Sequence, residues 1–338
     1  PYFPHVARVN FSMRHISLIT LLGSFAAACF CHTAEAGTIS FGTGGNTFGM
    51  EFVEIGSPGN ADDTTGNPNP AGSVAYTYQM GKFEVSEDMI TKYNANFGTA
   101  NSLAITQDAR GGDKPATSVS WNEAARFTNW LNTSTGGTEA YNFTTSGVND
   151  DIALWTSGDA GFDASNPFRN SLATYVLPSM DEWYKAAYYD PSTSSYFDYA
   201  TGSDTAPTAV ASGTTAGTAV YSGQTGPADV NLAGGLSPFG IMGLGGNVYE
   251  WEETSLDLSN GVGSSARGVR GGGWGFLNSS LLSSSTRHKR LPALENFNFG
   301  FRVASLSSTA AVPEPGSFAL LLTGLAGLGW YKRKRLMK

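Results

Sequence analysis

A chain of 338 residues with 28 acidic and 20 basic side chains has a formal net charge of −8, and only 14% of its residues are charged. That balance excludes a nucleic-acid binder, which needs a basic patch for phosphates. With 42 glycines and so little charge, irregular loops are expected to outnumber regular elements.

In chain order, the first residues form an address. Met13 is the first methionine, followed by Arg14 and His15, an apolar run over 16–30 and Ala34-Glu35-Ala36 before Gly37. A basic start, a short apolar core and an A-x-A site make a secretory signal peptide, with cleavage expected between Ala36 and Gly37. Residues 1–12 read as upstream sequence. A lipoprotein cut before Cys29 is the rival, but Ala26-Ala27-Ala28 lacks the expected leucine.

About 270 residues follow, enough for one large domain with its own core. Three helices are legible. The first has Ser86 as N-cap, buries Met89, Ile90, Tyr93 and Phe97, and stops at Gly98. The second opens with Ser120-Trp121-Asn122-Glu123, a capping box, and sets Ala124, Phe127, Trp130 and Leu131 on one face. The third repeats the device at Ser179-Met180-Asp181-Glu182, turns Trp183, Ala186 and Ala187 inward, and ends before Asp190-Pro191. Strands are expected over 49–55, 74–83 and 299–304. The Thr-, Ala-, Gly- and Ser-rich stretch 201–226 reads as a surface loop, and 305–311 as a linker.

The chain ends on a second address. Val312-Pro313-Glu314-Pro315 precedes an apolar stretch over 316–331 and then Lys332-Arg333-Lys334-Arg335. Sixteen helical residues reach about 24 Å, a little short of a hydrocarbon core about 30 Å thick, and the basic cluster is expected to stay cytoplasmic. The plain reading is a single-pass anchor. The order Pro313-Glu314-Pro315, apolar helix, basic end also resembles the bacterial PEP-CTERM sorting signal. That resemblance implies a Gram-negative bacterium that makes exopolysaccharide, an exosortase-type processing enzyme as partner, and a cell-surface or matrix destination after anchoring by the C-terminal helix.

Setting both addresses aside changes the composition. They hold seven of the twenty basic residues, so the domain between them carries a net charge of −13. They also hold both cysteines, Cys29 and Cys31, and three of the four histidines, leaving His288 alone. An acidic, thiol-free domain suits neutral or cationic ligands better than anions. No G-x-S-x-G, H-E-x-x-H or C-x-x-C pattern occurs. His288 lies in the basic run Arg287-His288-Lys289-Arg290, which reads as a solvated loop. The glycines of Gly243-Leu244-Gly245-Gly246-Asn247 lack the Lys-Ser/Thr ending of a phosphate loop and read as a structural turn.

The densest local pattern is Gly246-Asn247-Val248-Tyr249-Glu250-Trp251. With Ser120-Trp121, Leu177-Pro178-Ser179-Met180-Asp181-Glu182-Trp183, Arg270-Gly271-Gly272-Gly273-Trp274 and Gly300-Phe301-Arg302-Val303, it resembles the sulfatase-modifying factor, or formylglycine-generating enzyme, family. The five stretches keep the family's order, 49–82 is similar to its opening segment, and the resemblance covers nearly all of residues 40–306. The resemblance implies a single α/β (α+β) domain over 37–306, related to the C-type lectin fold and poor in regular structure.

The family's oxidases bind copper through two cysteines, and the resemblance puts Phe276 and Leu281 at those positions. A second branch needs several histidines for iron. Neither set of ligands exists here, so no copper and no iron are expected. The family's structural calcium would fall on the Glu250 side chain and the carbonyls of Gly246 and Val248, with Gly243 supplying no side-chain oxygen. Calcium takes six to eight oxygens, so water or a carbonyl would have to replace that ligand. Arg270 and Arg302 are expected to pair with carboxylates that hold loops over the core. Trp251 and Trp274 read as core, and Phe276 as a candidate sugar platform. The expectation is an exported, non-catalytic binder of polysaccharide or of a protein partner. The alternative is an enzyme of cysteine-independent chemistry using Glu250, Glu252 and Glu295.

Overall fold

The computed structural model describes residues 37–306. The expected signal peptide up to Ala36 and the Pro313-Glu314-Pro315 tail with its apolar stretch lie outside the described residues. Among the described residues no helix is long and apolar enough to cross a membrane.

Two sheets and three helices share one core. Strands β1 (Gly37–Phe41), β2 (Phe48–Ile55) and β3 (Tyr78–Gly81) are followed by α1 (Glu87–Tyr93) and α2 (Trp121–Ser134). Next come β4 (Tyr175–Val176), α3 (Met180–Tyr188) and two short pairs, β5 (Tyr189–Asp190) with β6 (Ser195–Tyr196) and β7 (Thr208–Ala209) with β8 (Thr218–Ala219). The last third holds β9 (Tyr249–Ser255), β10 (Arg267–Arg270), β11 (His288–Arg290), β12 (Phe299–Gly300) and β13 (Ala304–Ser305). The larger sheet runs β1-β2-β3-β13-β4 and the smaller β11-β10-β9-β12.

The helices begin where their caps place them. The Ser86 hydroxyl accepts from the Met89 amide, and α1 widens into a π-type turn over Asn94–Gly98, so the helical run ends at Gly98 as expected. Both capping boxes form. The Ser120 hydroxyl accepts from the Glu123 amide at 3.1 Å while Glu123 Oε2 accepts from the Ser120 amide at 2.8 Å. At α3 the matching distances are 3.2 and 2.6 Å. Each box satisfies two helix-end donors that burial would otherwise leave without water. Helix α2 is buried all round from Trp121 to Asn132, so the expected single apolar face understates how deeply it sits.

Two strand expectations are corrected. The run 299–304 divides into β12 and β13, which belong to different sheets. Between them Phe301, Arg302 and Val303 are all buried, and the Arg302 guanidinium meets the Glu250 carboxylate. The run 74–83 shortens to Tyr78–Gly81, because the preceding residues cross to another loop, where Val74 accepts from the Gly59 amide.

The stretch 201–226 is not wholly a surface loop. Strands β7 and β8 pair in parallel, Val220 packs with Val248 and Trp274, and Tyr221 packs with Leu282. Small Thr and Ala side chains conceal this burial from a composition-based reading.

If the caps matter as their geometry indicates, Ser120→Ala costs about 1 kcal/mol. The measurement is the urea midpoint at constant m-value, and an unchanged midpoint would show that the box contributes nothing.

Candidate functional site

Strand β9 carries three carboxylates in four residues, Glu250, Glu252 and Glu253, and all are buried. Side chains alternate along a strand, so Glu250 and Glu252 share one face and Glu253 lies on the other with Trp251. A buried charge is tolerated only when paired and hydrogen-bonded. Each of the three meets arginine from elsewhere in the chain.

Glu250 is gripped by Arg302, with Nη2 2.5 Å from Oε1 and Nε 2.6 Å from Oε2. The Trp183 indole donates a third hydrogen bond to Oε2 at 2.7 Å. The same guanidinium donates to the carbonyls of Gly81 and Met242, each at 2.9 Å, so it links β9 to the larger sheet. Glu252 lies between Arg270 at 2.6 Å and Arg287 at 2.7 Å. Glu253 receives Arg169 at 2.8 Å, Tyr141 at 2.7 Å and Asn166 at 2.6 Å. Arg169 also forks onto Glu182, both contacts being 2.9 Å. Burial pushes Glu182 up, but Arg169 outweighs it and holds the carboxyl below its ordinary value.

Glu84 is another buried carboxylate, beside β9 but outside these pairs. Glu84 receives only the Asn247 amide, at 3.0 and 3.1 Å. It faces Gly243, where a Cβ would stand 2.8 Å from the carboxyl group, so glycine is needed there. Gly246 is held as tightly, since a Cβ would come within 2.6 Å of the Val220 carbonyl at a φ of +93°. The glycine run is therefore a packed turn, and no phosphate-cradling loop leads into a helix. Burial first and the nearby Glu250 second push the Glu84 pKa up to about 8, against the pull of Arg302.

The Glu250 side chain, the one charged ligand of the expected calcium set, is already engaged. Both carboxylate oxygens are engaged by Arg302 and Trp183, and the guanidinium occupies the position of a cation among Glu250 and two carbonyls. Among the described residues no cluster of three or more His, Cys, Asp or Glu side chains is arranged to hold a metal ion.

At the positions matched to copper ligands, Phe276 and Leu281 offer a ring and an alkyl group, neither of which donates to copper. Phe276 meets Tyr249 edge-on at 5.3 Å, and Tyr249 meets His288 at 5.6 Å and Phe299 at 5.8 Å. Leu281 packs instead with Ala219, Tyr221 and Leu282. Trp251 and Trp274 are core residues, as expected, and half-buried Phe276 spends its ring on Tyr249, which weakens its reading as a sugar platform. His288 is corrected from a solvated loop to an edge strand. Its pKa is lowered by burial and by Arg290, and its Nε2 is buried without a partner.

The carboxylate trio proposed for catalysis does not assemble. Glu250 and Glu252 are sealed by arginines, and Glu295 is exposed and bonded to Asn149. Arg270 and Arg302 do hold loops through carboxylates, as expected. Two features escaped sequence reading. Glu84 lies just past the recognised opening segment, and Arg169 belongs to no motif.

Fold and site together define a mixed α/β domain, rich in loops, whose interior polar centre is an arginine–carboxylate lattice. The chain belongs to the sulfatase-modifying factor enzyme 1-like domain family, which matches residues 33–306. The PEP-CTERM protein-sorting motif matches residues 311–334, which implies export, membrane association in a Gram-negative bacterium and handling by exosortase-type sorting machinery. The fold is similar to that of Treponema denticola variable protein 1, at 19% identity and a TM-score of 0.55, over 80% of this chain and 99% of that one. It is likewise similar to CarF, at 18% identity and a TM-score of 0.56, over 77% and 99%. No curated protein sequence matches the chain.

Glu84 makes a testable pH dependence. Its folded-state pKa lies above the ordinary 4.5. The stability it contributes as a buried neutral acid is therefore complete at low pH and lost as pH rises through about 8. Melting temperatures measured from pH 5 to 9 should fall for the native protein, and Glu84→Gln should remove part of that fall. Parallel curves for the two proteins would show that Glu84 ionises without cost.

Proposed function

We propose that this exported domain is a non-catalytic binding module whose ligand is an extracellular polysaccharide. The observation that carries the reading is the fate of the family's reactive positions. Phe276 and Leu281 fall into two separate apolar clusters, and the nearby carboxylates of β9 are all consumed by arginines. No acid–base pair and no soft ligand remains there for chemistry, while the scaffold itself is intact. The sorting motif supports an extracellular setting, and the net charge of −13 between the two end segments favours uncharged or cationic ligands over polyanions. An extracellular protein partner on the same scaffold would be the competing ligand class.

The test uses the full chain purified in detergent. Incubated with a cysteine-containing sulfatase peptide and copper, it should yield no formylglycine by mass spectrometry. Incubated with exopolysaccharide from a producing strain, it should co-sediment with the polymer, whereas an acidic control protein should not. Peptide conversion would restore the enzymatic reading, and absence of co-sedimentation would remove the polysaccharide.

A further inference from the structure

A cleft of about 380 Å³ opens where the loop 163–171 faces Tyr76, Thr77 and Leu306. Ligand-holding clefts run from about 300 to 1,000 Å³. The cleft lies on none of the five motif stretches and involves neither Phe276 nor Leu281.

Its walls have distinct chemistry. Tyr76 is 45% exposed, so a large aromatic surface is left to solvent. Its hydroxyl donates to Glu182 Oε1 at 2.6 Å, and its ring meets Tyr78 edge-on at 6.2 Å, which together fix the ring's orientation. Arg169 forms part of the lining, but it brings no free positive charge. Glu182 and Glu253 oppose it with two carboxylates against one guanidinium. Asp163 adds a further negative charge. Its Oδ1 accepts from the Ser165 amide at 2.8 Å and hydroxyl at 2.7 Å, and those bonds hold its carboxyl below the ordinary value. Ser171 contributes an exposed hydroxyl.

An anionic ligand would enter a cleft with a local excess of carboxylate and gain no counter-charge. A hydrophobic one would desolvate Asp163 without compensation. A pyranose satisfies both demands, since one face presents C–H groups to an aromatic ring and its hydroxyls donate to carboxylate and hydroxyl oxygens. We propose that this cleft binds a neutral or amino-bearing sugar unit of a polysaccharide, stacked on Tyr76 and hydrogen-bonded to Asp163 and Ser171. The inference rests on the reading of the domain as a polysaccharide binder and supplies its site.

The experiment is titration calorimetry on the full chain in detergent with neutral glucan and galactan oligomers, chitosan oligomers and alginate oligomers. Wild type is expected to bind a neutral or amino sugar and to ignore alginate, whose uronates repel Asp163. Tyr76→Ala should weaken binding about tenfold, the loss of one aromatic contact. Because the Tyr76 hydroxyl also braces Glu182, two further variants leave that bond intact. Ser171→Trp fills the cleft, and Asp163→Asn removes the rim charge. Both should retain the wild-type melting temperature, the first abolishing binding and the second weakening it. Sugar binding that all three variants keep would overturn the site while leaving the polysaccharide reading standing. Preference for alginate would overturn the sugar class. No binding to any oligomer would sink the site and the broader reading together.

Discussion

Burying three carboxylates within four residues of β9 is the demand around which the rest of the chain is arranged. Each would cost several kcal/mol if it entered the core without a partner. The partners come from Arg169, Arg270, Arg287 and Arg302, so segments more than a hundred residues apart must be in place before β9 can close. Such pairs add little net stability over an apolar core of equal volume. Their effect is on specificity, because a shift of β9 by one residue would exchange the faces carrying Glu250 and Glu253 and strand each charge among the wrong neighbours. Arg302 is the hinge of the arrangement. It breaks the run 299–304 between the two sheets and ties Glu250 to carbonyls of Gly81 and Met242. Glu84 is a carboxylate of this centre without an arginine pair, and burial first and the neighbouring Glu250 second raise its pKa.

What could be read from sequence was local. The Ser120 and Ser179 caps act through residues three positions away, and both helices start where those signals lie. Strand β9 escaped notice because its order of charges resembles no strand pattern. Alternation signals one wet face, and β9 has none, since arginines replace water on both sides. The stretch 201–226 failed for a related reason: Val220 and Tyr221 carry its burial, hidden among Thr, Ala and Gly. The cleft was invisible in principle, since Tyr76, Asp163 and Leu306 meet only after folding.

The functional reading follows from how polar groups are spent. In the polar centre around β9 nearly every one is satisfied internally, and Phe276 and Leu281 are held in apolar clusters. On the flank, by contrast, Tyr76 and Asp163 keep surface available to solvent. A scaffold that locks its interior by charge pairing and leaves an aromatic, acidic cleft outside is suited to holding a ligand.

That the lattice is a cooperative structural clamp is tested most directly at Glu250 and Arg302. A double-mutant cycle with Glu250→Gln and Arg302→Gln, read by urea denaturation of the full chain, isolates their coupling. Each single substitution should destabilise by about 3 kcal/mol or more, since it leaves one charge buried and alone. The double variant should recover about 2 kcal/mol of the summed loss. Small, additive losses would contradict the clamp and return Glu250 to candidacy as a ligand for something outside the chain.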